Sequence, residues 1–357
     1  MIECDNAIES ARLALKDALD TFAEVDLSWI QPPPSNDGWT LAPDALRLLT
    51  AVVSRLRPQH ILEFGSGLST RVLARACDAL EFQCAISSID QDPEFSSVVA
   101  REYAERPAAN SRVSFQVAPL VAREYGGKWL PAYLMQPQRF ASQQPVDLVL
   151  IDGPSAVLGG REGAFYQAMD VARRGTLVLL DDAARREERA AISHWQDNLG
   201  EAIEVIQLPG FIRGMVAIII REPIRRSELL SRRVCLTRRE IEAMTRPEET
   251  FIVAGDEWWR DEIAVGRNSL PFLEREGHYW GPPPNDETAI RELERLRQSG
   301  ARFLMFGWPT FWWLEHYGAF HRHLRARFGC VVENDRLVVF DLTCSTASQA
   351  ANEDVVG

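Results

Sequence analysis

His60-Ile61-Leu62-Glu63-Phe64-Gly65-Ser66-Gly67-Leu68-Ser69-Thr70-Arg71 decides the reading of this 357-residue chain. An apolar run, a carboxylate, a glycine turn and a row of small residues predict a buried strand, a tight turn and a helix start. Glycine at such a turn lets the backbone approach a ligand closely. Ser88-Ile89-Asp90 ends a second apolar run further on. In α/β domains a carboxylate at that point accepts hydrogen bonds from ribose hydroxyls. The pairing points to a nucleoside-bearing cofactor.

Dinucleotide folds favour Gly-x-Gly-x-x-Gly with a phosphate on the helix N-terminus. Here Thr70 stands at the third glycine position, and the Glu63 carboxylate would repel a pyrophosphate. It suits a cationic cofactor with a free amino group. The stretch resembles the first motif of the class I S-adenosylmethionine-dependent methyltransferases, and Asp90 stands where that family binds the ribose. The resemblance implies cofactor contacts at Glu63, Gly65, Ser66, Gly67, Ser69, Thr70 and Asp90. It adds Ala118, at the end of the third strand, whose edge lines the adenine in that family. From this stretch alone, an ordinary tight turn between strand and helix reads the same way.

Bulk properties narrow the partners. Lys plus Arg number 39 and Asp plus Glu 51, a formal net charge of −12. Nucleic-acid binding needs a basic footprint, so nucleic acid is not the expected partner. The six cysteines are scattered, with no C-x-x-C pair, and read as reduced thiols of a cytoplasmic protein. Met1-Ile2-Glu3-Cys4-Asp5 lacks the basic start and apolar core of a signal peptide. Apolar runs such as Met215–Ile220 are strand-length, so no membrane span is expected.

The chain divides by pattern. Residues 1–35 hold an amphipathic helix ended by Pro32-Pro33-Pro34, and residues 40–56 a second helix with Pro43 near its start. Strands are predicted at 60–64, 85–90, 112–117, 146–152 and 175–181. Helices fall between them at 69–80, 94–106 and 161–174, then at 185–198. Such alternation predicts a doubly wound parallel sheet. Ile203 to Leu208 and Phe211 to Arg221 flank Pro209-Gly210, too short for a parallel crossover, so they form an antiparallel hairpin. A Rossmann-like sheet closed by such a hairpin resembles the seven-stranded methyltransferase sheet, over residues 36–222. Residues 223–249 read as a linker and connecting helix, 250–342 as a small accessory α/β domain, and 343–357 as a disordered tail.

The chemistry collects at strand ends. Val149-Leu150-Ile151-Asp152-Gly153-Pro154 ends the fourth strand and Leu179-Leu180-Asp181-Asp182-Ala183 the fifth. Both tips lie at the carboxyl edge, beside the glycine turn. Crowded carboxylates need protons or a cation to coexist. Oxygen ligands suit Mg²⁺. The arrangement is similar to that of the metal-dependent O-methyltransferases acting on sugar hydroxyls, and implies Asp152, Asp181 and Asp182 as metal ligands. That branch places an acidic residue directly after its Asp-Gly as the general base. Here Pro154 stands there, which leaves the base open; Asp152 is the expected ligand or base. The bland alternatives are a turn cap at Asp152 and a helix N-cap at Asp181-Asp182. Tyr125-Gly126-Gly127-Lys128-Trp129 opens a segment to Gln144 that reads equally as a substrate cover or a surface insertion. His194, on the following helix, is a weaker candidate.

Six of the ten tryptophans lie between Trp258 and Trp313. Exposed, they would stack on sugar rings; but Trp313, Tyr317, Phe320, Leu324 and Phe328 recur at helical spacing and predict a core stripe. The accessory domain resembles a module of bacterial glycosyltransferase and methyltransferase fusions. The expected function is methylation of a hydroxyl on a small molecule or glycan. Against it stand a non-catalytic glycan-binding protein on a relict cofactor fold and a nicotinamide-dependent oxidoreductase.

Overall fold

The computed structural model describes residues 2–30, 40–105, 110–135 and 145–345. The Pro32-Pro33-Pro34 break, the segment 136–144 and the chain beyond Ser345 lie outside the described residues. The chain divides into two compact units, Met1–Leu229 and Leu230–Gly357.

In the first unit, in chain order, come α1 (Ile2–Thr21), α2 (Pro43–Leu56), β1 (His60–Phe64), α3 (Leu68–Ala79), β2 (Cys84–Asp90), α4 (Pro93–Glu105) and β3 (Ser111–Val117). They are followed by β4 (Leu120–Tyr125), β5 (Lys128–Tyr133), β6 (Val146–Ile151), α5 (Glu162–Val171), β7 (Ala172–Asp181), α6 (Arg186–Leu199), β8 (Ile203–Leu208) and β9 (Met215–Ile220). Seven strands form one sheet in the order β3-β2-β1-β6-β7-β9-β8. The first five are mutually parallel, and β9 runs antiparallel to both β7 and β8. This is the doubly wound sheet with a terminal hairpin that the alternating pattern predicts.

Strand periodicity splits the core in two. Leu62, Phe64, Val149, Ile151, Val178 and Leu180 point to one face, onto Phe165 and Met169 of α5 and Trp195 of α6. Ile61, Leu148, Leu150, Leu177 and Leu179 point to the other, onto α1, α2 and α3. Covered on both faces, the interior strands β1, β6 and β9 are buried along their whole length, as the doubly covered parallel strands β1 and β6 require. Each fully buried Leu, Ile or Phe contributes roughly 1.5–3 kcal/mol.

Two details depart from expectation. The terminal hairpin turns over Pro209–Gly214, and β9 starts at Met215 rather than Phe211. Phe211 instead stacks on Phe22, while Ile212 N–H donates to Asp44 and Arg213 to the Thr40 carbonyl, so the turn is held open by contacts outside the hairpin. The segment after β3 contains the antiparallel hairpin β4–β5, closed by Gly126-Gly127, both at positive φ.

Helix α7 (Arg226–Met244) spans the division between the units. The second unit holds β10 (Thr250–Ala254), α8 (Glu257–Ile263), β11 (Asn268–Phe272), the short pair β12 (Glu274–Arg275) and β13 (His278–Tyr279), α9 (Asp286–Gln298) and β14 (Ala301–Gly307). After these come α10 (Trp312–His316), α11 (Gly318–Arg327), β15 (Phe328–Glu333) and β16 (Leu337–Ser345). Its sheet has the order β11-β10-β14-β16-β15. The helical run that carries the aromatic stripe breaks at Tyr317, whose hydroxyl donates to the Pro283 carbonyl at 2.6 Å. The aromatic stripe is core: Trp313, Tyr317, Phe320, Leu324 and Phe328 are all buried. Trp258, Trp280 and Trp312 are exposed. β16 continues through Thr343 to Ser345, into the stretch expected as tail. Among the described residues no helix is long and apolar enough to cross a membrane.

Candidate active site

The tips of β2, β1 and β6 are laced level with one another. Gly65 N–H donates to the Ile89 carbonyl at 2.8 Å, Asp152 N–H to Phe64 at 2.9 Å, and Ala118 N–H to Asp90 at 2.8 Å. Side chains then organise the glycine turn. Asp90 accepts Ser66 N–H at 3.0 Å on one oxygen and Asp92 N–H at 2.8 Å on the other. Burial raises its carboxyl above the ordinary value.

Glu63 faces inward, beneath the turn. Its Oε2 accepts the hydroxyls of Thr70 at 2.5 Å and Ser88 at 2.7 Å, and Thr70 in turn accepts Gly67 N–H at 3.1 Å. Oε1 is buried without a hydrogen bond of ordinary geometry. Burial pushes this carboxyl up to about 7, against the opposing pull of the hydroxyls of Ser69, Thr70 and Ser88. The side chain expected to meet a ligand's amino group is thus enclosed, and its direct partners are those hydroxyls. Ser69 and Thr70, in the first turn of α3, are likewise buried, as is Ala118 at the end of β3. Phe95 and Val117 are exposed at this edge, beside the exposed Asp92 and Glu94.

The acidic side abuts the glycine turn. A Cβ on Gly65 would lie 3.1 Å from the Gly153 nitrogen and 3.5 Å from Asp152 Cβ, and one on Gly153 would meet Tyr133 Oη at 2.5 Å. Only glycine at both positions allows this approach. Asp152 therefore stands immediately beside the turn. Ligand atoms of Asp152, Asp181 and Asp182 come within 4.8 Å of one another. Burial raises Asp152 well above the ordinary range and Asp181 to about 6. Asp152 is the most open of the cluster, with 18% of its side-chain surface exposed against 4% for Asp182. Asp182 has φ of 56°, a left-handed conformation that turns its side chain back onto the cluster.

The sequence reading supplied these carboxylates with Mg²⁺; the structure supplies them with Arg161. This buried side chain, just before α5, places Nη2 3.0 Å from Asp152 Oδ1 and 2.6 Å from Asp182 Oδ2. Its Nη1 donates to the Asp181 carbonyl at 2.5 Å, and Nε lies 3.9 Å from Glu188. The oxygen-only donor set has the chemistry for a hard cation, and Asp181 Oδ2 is buried with no partner among the described residues. Mg²⁺ nevertheless does not fit between Asp152 and Asp182 while Nη2 lies there. Two unit charges 4 Å apart interact by about 4 kcal/mol at the effective dielectric of such sites, so a divalent ion beside the guanidinium would meet roughly twice that in repulsion.

Arg161 was missed in the sequence because it stands at the very start of the predicted helix 161–174, where a charged residue reads as a solvated helix end; the crowding of three carboxylates was the signal that could have found it. Tyr133 was missed with the β4–β5 hairpin that carries it. It stacks on Phe64, its backbone is clamped by Gln167 through two 2.8 Å bonds, and its hydroxyl donates to Gln91 at 3.2 Å. His194 is not brought to the cluster: it engages Lys128 and Glu162.

Residues 62–183, from β1 to the paired aspartates, match the family model described as a methyltransferase domain. No curated protein matches the chain. Among solved structures, a methyltransferase of Podospora anserina with bound SAH is 14% identical, covering 57% of this chain and 88% of that one, at a TM-score of 0.39. A methyltransferase from Geobacter sulfurreducens is 18% identical over 49% of this chain and 77% of that one, at 0.36. A precorrin-6y C5,15-methyltransferase from Geobacter metallireducens is 13% identical over 53% and 93%, also at 0.36.

Proposed function

We propose that the first unit is an S-adenosylmethionine-dependent methyltransferase that acts on a hydroxyl, on a sugar, glycan or other small molecule, in the cytoplasm. The observation that supports the reading is the close approach of Gly65 to Asp152-Gly153, by which a cofactor held on the turn would lie beside the most open carboxylate of the edge. Asp90 would accept the ribose hydroxyls. Gly65, Ser66 and Gly67 would pass their backbone against the cofactor, with Ser69 and Thr70 behind them. Glu63 would oppose the positive charge from below, and Val117 and Ala118 would line the adenine. The antiparallel β9 and the family match favour this over a nicotinamide enzyme, whose sheet is parallel in the order 3-2-1-4-5-6.

S-adenosylmethionine held on this turn would supply an electrophilic methyl group to the acceptor oxygen and leave as a neutral thioether. The acceptor's proton passes to the Asp152 carboxylate. Protein groups contribute by holding the acceptor oxygen in line and by taking that proton. The exposed Trp258, Trp280 and Trp312 of the second unit are of a kind that stacks on sugar rings and support a glycan acceptor. The test is methyl transfer from labelled S-adenosylmethionine to a panel of monosaccharides and nucleotide sugars. Transfer lost in Asp152→Asn with cofactor binding retained supports the assignment. Cofactor binding without transfer to any hydroxyl, together with glycan retention, would favour the non-catalytic reading instead.

A further inference from the structure

The cation that reconciles the crowded aspartates is built into the chain. Arg161 is 2% exposed, and its guanidinium reaches three of the four carboxyl-bearing residues that surround it at hydrogen-bonding distance: Asp152 and Asp182 by their side chains, Asp181 by its carbonyl. The fourth, Glu188, faces Nε at 3.9 Å. A second arginine, Arg185, reaches Asp182 from outside at 3.0 Å. A planar, permanently charged fork matches carboxylate oxygens in a way a mobile ammonium does not.

We propose that Arg161 takes the place of a divalent metal at this site, so that methyl transfer needs no metal and Arg161 acts as a positioning residue that fixes Asp152 beside the glycine turn. The inference rests on reading this edge as a methyltransferase site, but its test does not. With Asp152 Oδ1 held by Nη2, the carboxyl has one direction left open to an acceptor. Removing the guanidinium leaves Asp152, Asp181 and Asp182 facing one another, the oxygen donor set of a hard cation, with Arg185 touching only Asp182 from outside.

The experiment is titration of Mn²⁺ alone, followed by its paramagnetic resonance signal, into the full chain after chelation. The wild type should show no saturable binding up to millimolar Mn²⁺. Arg161→Met should gain one saturable site at least ten-fold tighter than any wild-type binding, and Arg161→Lys, which keeps the charge, should not. Saturable wild-type binding that Asp181→Asn removes would overturn the proposal, as would a folded Arg161→Met that gains no site. Should Arg161→Met fail to fold, the wild-type titration decides alone. Failure of the methyltransferase reading would show separately, as absence of S-adenosylmethionine binding.

Discussion

Replacing Glu63 by Gln should change how the stability of the first unit depends on pH. The side chain is wholly enclosed beneath the glycine turn, and burial holds its carboxyl at about 7 rather than 4.5. Between those values the folded protein keeps a proton that the unfolded chain has released. Stability is therefore fully present below the unfolded value and is lost as pH rises through the folded one. At roughly 1.4 kcal/mol per pH unit, the gap between 4.5 and about 7 corresponds to about 3 kcal/mol. Glutamine keeps the shape and a carbonyl for the Thr70 and Ser88 hydroxyls but does not titrate. Asp152, Asp181 and Glu188, also raised by burial, titrate in both proteins and largely cancel in the difference. The stability of Glu63→Gln relative to wild type should thus rise by about 2.5 kcal/mol between about pH 5 and pH 8, or roughly 5–10 °C in melting temperature for a unit of this size. Thermal melts followed by circular dichroism across that range read it directly. A difference that stays flat with pH would refute the reasoning, since it would mean that Glu63 is ionised throughout.

Other consequences are as specific. Gly153→Ala places a methyl 2.5 Å from Tyr133 Oη and should destabilise the first unit by roughly 1–3 kcal/mol, with the double variant carrying Tyr133→Phe recovering part of the loss in urea titrations. In the second unit, Trp313→Ala should cost roughly 3–5 kcal/mol and Trp312→Ala well under that, as measured by melting, because the first indole fills the core and the second is half exposed.

The fold was legible where chemistry sits on periodic elements. The glycine turn, Asp90, Asp152 and Asp181-Asp182 each end an apolar run of strand length, and a parallel sheet must bring such ends to one edge. Residues delivered by tertiary folding were not legible. Arg161 stands at the start of a predicted helix, just after Gly159-Gly160, and an Arg-Glu pair there reads as solvated surface. Tyr133 arrives on the β4–β5 hairpin, whose one signal was Gly126-Gly127 between strand-like runs. β11 was hidden by Pro271, which breaks a strand reading; it is tolerated because β11 is an edge strand. Conversely, the stripe from Trp313 to Phe328 was readable as core even though the helix carrying it breaks at Tyr317, because the 3.6-residue spacing survives the break.

The central claim is that the turn between β1 and α3 holds S-adenosylmethionine with Asp90 as its ribose acceptor. Calorimetric titration of S-adenosylmethionine into the full chain, beside Asp90→Ala, tests it most directly. Hydrogen bonds to a carboxylate contribute roughly 1.5–3 kcal/mol each, so losing two should weaken binding on the order of a hundred-fold or more. Saturable one-to-one binding by the wild type, lost or weakened to that degree in a folded Asp90→Ala, is the predicted result. A folded wild-type protein that takes up no S-adenosylmethionine, or an Asp90→Ala that binds it equally well, would contradict the account.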